Sequence, residues 1–157
     1  MTLGASSPVV FETERLAFRE MNQDDFLDLA EMLQNPKVMY AYEHDFSNSD
    51  VQQWLDRQIG RYRDYGFGLW AVISKTSGVM VGQAGLTMQP YRNKDVLEIG
   101  YLLKKEFWHG RDWSDWTPAR FIEELGGWIG RYNTERRSDA LGGRTPAEFR
   151  SALGRAA

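Results

Sequence analysis

Side chains able to do chemistry are few in this chain of 157 residues, and their types narrow the chemistry before any fold is considered. There is no cysteine, which excludes thiol catalysis, disulfides and cysteine-based zinc sites. Two histidines, His44 and His109, leave no set for a multi-histidine metal site, so no bound metal is expected. What remains are carboxylates, tyrosines and cations. Tyr40, Tyr42, Glu43 and His44 fall in one loop, where His44 reads as a surface residue. Arg57, Arg61 and Arg63 read as a solvated helix face. Trp54, Trp70, Trp108 and Trp128 read as core anchors rather than as a ligand cage.

Composition sets the outer bounds. The length suits one ordinary domain, and 42% hydrophobic with 26% charged residues is globular. The net charge of -3 and an isoelectric point near 5.4 argue against a nucleic-acid partner. That charge is uneven: residues 1–102 carry −5 and the last 55 carry +2. No stretch approaches the ~18 unbroken apolar residues of a membrane span. The opening MTLGASSPVV lacks the basic start of a signal peptide, so no membrane partner and a cytoplasmic location are expected.

The elements that must position these groups follow from periodicity and end signals. Residues 1–14 read as a loose entry, and Leu16 to Glu20 as a short strand by alternation. Asn22 caps a first helix carrying Phe26, Leu29, Ala30 and Leu33, which Asn35-Pro36 stops. A second helix starts near Ser47 or Ser49, places Val51, Trp54, Leu55, Gln58, Ile59 and Tyr62 on one face, and ends at Gly66 and Gly68. Phe67–Ser74 and Val79–Thr87 read as strands joined at Lys75-Thr76-Ser77-Gly78, Gln89–Asp95 as a polar loop, and Val96–Leu103 as a further strand. After Trp108 the pattern turns helical. Thr117-Pro118 opens a helix through Tyr132, a loop runs from Asn133 to Arg144, and Thr145-Pro146-Ala147-Glu148 forms a capping box for a last helix.

Several ordered motifs within residues 11–109 resemble the GNAT acetyltransferase superfamily, in its ribosomal-protein N-terminal acetyltransferase branch. They are Glu12-Thr13-Glu14-Arg15-Leu16 with Arg19, Asn35-Pro36-Lys37-Val38-Met39, Gly82 to Leu86, and Leu97-Glu98-Ile99-Gly100-Tyr101-Leu102 followed by Phe107-Trp108-His109. The resemblance implies transfer of an acetyl group from acetyl-CoA to an amine, on a small molecule or peptide whose identity the sequence leaves open. Under it, Glu98, or a water it holds, takes the proton from the amine. The strand ending at Leu102 and Leu103 offers backbone groups to the pantetheine arm, and His109, Gly110 and Arg111 stand where the family seats the diphosphate on a glycine-rich turn. Here that turn keeps one glycine and is followed by Asp112 and Asp115, whose charge opposes phosphate. After His109 the family needs two more helices and three strands, roughly 60 residues. Only 48 residues follow, without a strand pattern.

A second resemblance adjoins the first. Leu103 to Trp113, Phe121 to Leu125, Tyr132-Asn133-Thr134-Glu135-Arg136, Leu141-Gly142-Gly143 and Thr145 to Phe149 are similar, in order, to the C-terminal end of insertion-sequence transposases of the integrase type. Those enzymes use three metal-binding carboxylates, which lie upstream of this segment. The expectation is therefore an α+β chain: a truncated GNAT-like antiparallel sheet with two N-terminal helices over 1–109, then a transposase-derived helical tail over 110–157. Acetyl transfer should be weak or lost, with a DNA-integration fragment as the alternative. The exposed edge of the sheet is a surface through which two copies could pair.

Overall fold

The computed structural model describes residues 7–42 and 44–108, together with positions 123, 126–127, 130–131, 134–135, 143–145, 147–148 and 151. The chain divides into two compact units, Met1–Trp113 and Ser114–Ala157.

The first unit is an α+β layer built on a five-stranded antiparallel sheet in the order β1-β2-β3-β4-β5. The strands are β1 (Val9–Glu12), β2 (Leu16–Arg19), β3 (Leu69–Ser74), β4 (Met80–Tyr91) and β5 (Lys94–Leu103). Two helices, α1 (Phe26–Leu33) and α2 (Asn48–Tyr65), are inserted between β2 and β3. The α-helices begin and end as their residues direct. Asn22 and Asp25 form a reciprocal capping box over the short 3-10 turn Gln23–Asp25 that leads into α1. Ser47 and Asp50 form another at α2, and Gly66, at φ +77, closes that helix in the left-handed conformation where a side chain would be strained.

Packing fixes the layer. Leu29, Met32, Leu33, Val51 and Leu55 are the buried apolar stripe of α1 and α2. Phe11 stacks on Phe18 at 4.2 Å between ring centroids and meets Trp70 edge-on at 5.8 Å, so β1, β2 and β3 share one aromatic cluster. Arg19 on β2 holds Asp25 through two hydrogen bonds of 2.7 and 2.8 Å, which keeps the guanidinium charged well above its ordinary range and ties the sheet to the start of α1.

Three expectations change. Val9–Glu12 is a strand rather than a loose entry, because its backbone pairs with Ala17–Arg19. Gln89–Asp95 is not a loop: β4 and β5 continue through it to a two-residue turn, Arg92-Asn93. Both turn residues have positive φ, +46 and +63, as a type I′ hairpin turn requires. Their polarity hid a ladder that pairs without interruption from Tyr91↔Lys94 to Gly82↔Leu103. In the second unit, Thr134 and Glu135 are helical, inside the span read as a loop. The capping box at its end is present: Glu148 N donates to Thr145 Oγ1 at 3.2 Å and Thr145 N to Glu148 Oε2 at 3.0 Å. The helix start at Thr117-Pro118 and the residue Trp128 lie outside the described residues.

Candidate active site

The first unit carries a cavity of about 420 Å³ between one face of α2 and the β4–β5 hairpin, within the size range of small-molecule sites. Helical spacing supplies one wall. Trp54, Arg57, Gln58 and Arg61 stand at i, i+3, i+4 and i+7 of α2, so one stripe of that helix meets the space. Strand alternation supplies the other. Gln83 and Thr87 fall on one face of β4, and their cross-strand partners Leu102 and Glu98 fall on the same face of β5. Gly100, Tyr101 and Tyr42 also border the space.

Polar bonds hold the α2 wall against the sheet. Gln58 is buried; its Oε1 accepts from Leu69 N at 3.1 Å and from Arg61 Nη1 at 3.2 Å. Tyr62 accepts from Met21 N at 3.2 Å and donates to Leu69 O. Burial pushes its phenol well above the ordinary range. Trp54 Nε1 donates to Gln83 Oε1 at 3.2 Å. That bond fixes the amide's orientation, since an indole N–H can meet only the oxygen. Gln83 is fully buried, and its Nε2 has no hydrogen-bond partner among the described residues.

Arg57 and Arg63 are exposed, as a solvated face requires, and Arg63 pairs with Asp64 at 3.1 Å; Arg57 nevertheless borders the cavity, together with the half-buried Arg61. Burial and the neighbouring charge of Arg57 lower the pKa of Arg61. Trp54 belongs to the site wall, and Trp70 to the core. Trp108 is exposed rather than a core anchor. His44 is exposed and lies 3.2 Å from Asp50 Oδ2, so it has a partner that spacing did not reveal. It borders a second cavity of about 270 Å³ beside Tyr40 and Tyr42. Glu43 lies outside the described residues.

Glu98 is exposed at the cavity edge, opposite Thr87. Leu102 lines the cavity and pairs with Gln83; Leu103 pairs with Gly82. Lys104 N donates to Val81 O at 2.9 Å. From that bond, antiparallel alternation turns the N–H and C=O of Leu103, Tyr101 and Ile99 away from β4. Trp108 Nε1 meets one of these groups, Leu103 O, at 3.0 Å. Lys104 is buried between Asp28, at 2.6 Å, and Glu31. Burial works against its charge, but the two carboxylates outweigh that and raise its pKa. This cluster pins the end of β5 to α1. His109, Gly110 and Arg111 lie outside the described residues. Among the described residues, no group of three or more acidic or histidine side chains could hold a metal, and no helix is long and apolar enough to cross a membrane.

Glu98 and Leu102, both singled out in the sequence, line this cavity, but the peptide groups of Leu102 turn toward Gln83 on β4 and not outward; Gln83, Arg57 and Arg61 also line it and were not singled out as site residues. The helical spacing of Trp54, Gln58 and Arg61 was the available signal. A glutamine inside an apolar strand carries none.

Residues 15–112 match the family model for the acetyltransferase (GNAT) domain. An uncharacterized protein of Bacillus subtilis, YkkB, is 31% identical over 97 residues, which are 61% of this chain and 56% of that protein. The chain thus spans little more than half the length of that curated relative. Among solved structures, a GnaT-family acetyltransferase from Bordetella pertussis superposes with a TM-score of 0.62 at 18% identity, covering 81% of this chain and 74% of its own. An acetyltransferase from Agrobacterium tumefaciens gives 0.59 at 22% identity, covering 82% and 70%.

Proposed function

The chain belongs to the acetyltransferase (GNAT) domain family, and from that premise we propose that it transfers the acetyl group of acetyl-CoA to an amine in the cytoplasm. The observation that carries this reading is Glu98 at the rim of a cavity on β5, beside a strand edge that turns peptide groups outward. Acetyl-CoA supplies a thioester whose acetyl carbon gains a C–N bond as its C–S bond breaks. The protein's part is to hold both partners and to manage one proton. Glu98 takes that proton from the incoming ammonium, directly or through a water, leaving the nitrogen lone pair free to attack; the second proton shed by the nitrogen goes to the departing thiolate, which leaves as the free coenzyme thiol. The outward-turned edge groups of Ile99 suit the amide-bearing pantetheine arm, because they extend the ladder as a further strand would.

The diphosphate falls to His109, Gly110 and Arg111. Asp112 and Asp115 follow closely, and their charge keeps coenzyme affinity, and hence activity, low. Residues 103–157 take their origin, in this reading, from a transposase end and contribute no DNA chemistry of their own.

The test is direct. The full chain is incubated with acetyl-CoA and a panel of primary amines, and release of the coenzyme thiol is followed with a thiol reagent. Amine-dependent release that vanishes on heat denaturation is expected. Release indifferent to the amine, or none at millimolar acetyl-CoA, overturns the proposal.

A further inference from the structure

The cavity walls are chemically unequal. The α2 side presents two guanidinium groups, Arg57 and Arg61. Neither forms an ion pair with a carboxylate among the described residues; Arg61 donates instead to the amide oxygen of Gln58. Beside them on β4 stands Gln83, fully buried, its amide oxygen engaged by Trp54 and its Nε2 without an acceptor among the described residues. An amide N–H without a protein acceptor is a donor that a group accepting hydrogen bonds inside the cavity can use. The strand side presents the carboxylate of Glu98.

From this juxtaposition we infer that the acceptor amine of the proposed transfer carries a carboxylate, which Arg57, Arg61 and the free amide N–H groups of Gln83 receive while its ammonium is directed to Glu98. The inference rests on the proposed acetyl transfer for calling the ligand an acceptor, but not for its chemistry. A carboxylate satisfies all three donors at once, since it offers two oxygens with about four lone-pair directions, and charge-assisted bonds to guanidinium are the stronger kind. It also relieves the mutual repulsion of Arg57 and Arg61, which together with burial depresses the pKa of Arg61. A polyamine would place its second ammonium against two cations, and a plain alkylamine would leave Gln83 Nε2 unmet. The zwitterionic amine is the ligand whose charges match both walls.

Calorimetric titration of the whole chain, without acetyl-CoA, reads the inference separately from catalysis. The probes are glycine, 4-aminobutyrate and 6-aminohexanoate, each against the alkylamine and diamine of matching length. At least one carboxylate-bearing amine should bind tenfold or more tightly than its two partners. Arg57→Gln, at an exposed helical position, should leave circular dichroism unaltered and abolish that preference, and Arg57→Glu should turn it toward the diamine. Gln83→Leu should weaken the carboxylate probe several-fold and the alkylamine little. Diamine binding equal to or tighter than the carboxylate probes, no binding of any carboxylate probe, or a preference that survives Arg57→Gln overturns the inference. Thiol release from acetyl-CoA, measured in parallel, keeps the two proposals apart. A calorimetric preference without thiol release refutes acetyl transfer and leaves the anion site standing; amine-dependent release with no preference does the reverse.

Discussion

β4 and β5 share one uninterrupted ladder, yet they live in different surroundings. Every residue from Met80 to Thr87 on β4 is buried, whereas Lys94 to Ile99 on β5 are exposed throughout. β4 is held between β3 and β5 and carries the fully buried Val81, Gln83 and Ala84; β5 has a neighbour on one side alone in the described sheet. Stability and chemistry are thereby divided between the two arms of a hairpin. The inner arm can tolerate almost no change of volume, while the outer arm can change side chains at little cost to folding, and Glu98 stands on the outer arm.

The sharpest way to break this comparison uses one rung of the ladder, Gly85↔Gly100. A Cβ on Gly85 would collide with the carbonyl oxygen of Gly68, a backbone atom that cannot swing aside. On Gly100 the nearest atom would be Leu69 Cδ2 at 3.4 Å, an ordinary contact with a flexible side-chain end. Gly85→Ala should therefore cost at least about 3 kcal/mol, and Gly100→Ala less than about 1 kcal/mol. Urea midpoints of the two variants measure the difference. Equal losses would show that the arms are equally constrained.

The next effect concerns what ties α2 to the inner arm. Tyr62→Phe removes a hydroxyl that donates to Leu69 O and accepts from Met21 N in a buried setting, leaving both unmet. The expected loss is about 1–3 kcal/mol in the same urea assay. On the outer arm, Glu98→Gln should move the urea midpoint by less than about 0.5 kcal/mol while lowering amine-dependent thiol release by roughly 10²–10⁴-fold. A variant that loses stability but keeps its rate would make Glu98 structural.

Much of the inner body was legible because local signals agree with each other there. The Ser47 cap, the apolar stripe from Val51 to Tyr62 and the terminal Gly66 all mark α2, and Lys75–Gly78 marks the β3–β4 turn, where Gly78 indeed sits at φ +71. The outer arm was harder to read. Gln89–Asp95 is polar because that end of the hairpin faces water, and Arg92 in a left-handed conformation contradicts the usual Gly or Asn preference at a type I′ turn. The site was half legible for the same reason. Glu98 stands out as a carboxylate within a strand. Gln83 gains its significance only from Trp54, a residue 29 positions earlier that claims its oxygen.

The smallest expected effect lies where the body itself meets solvent, at the start of α2. Asp50 accepts from the backbone N–H of Ser47 at 2.8 Å and from the Ser47 hydroxyl at 2.8 Å, with His44 at 3.2 Å. These bonds, the backbone one foremost, hold its pKa below the ordinary 3.8. The sign follows from linkage. A carboxyl more acidic in the folded than in the unfolded chain contributes stability that is complete above the unfolded value and is lost as pH falls through the folded one. The thermal midpoint of the wild type should therefore exceed that of Asp50→Asn at pH 5, and the gap should close as pH drops below 3.8. Because the group is exposed, the gap should be small and should shrink further in salt. A gap that stays constant from pH 5 to pH 2.5 would mean that the cap acts through shape and not charge. The rigidity of the inner body would then owe nothing to its solvent-facing electrostatics.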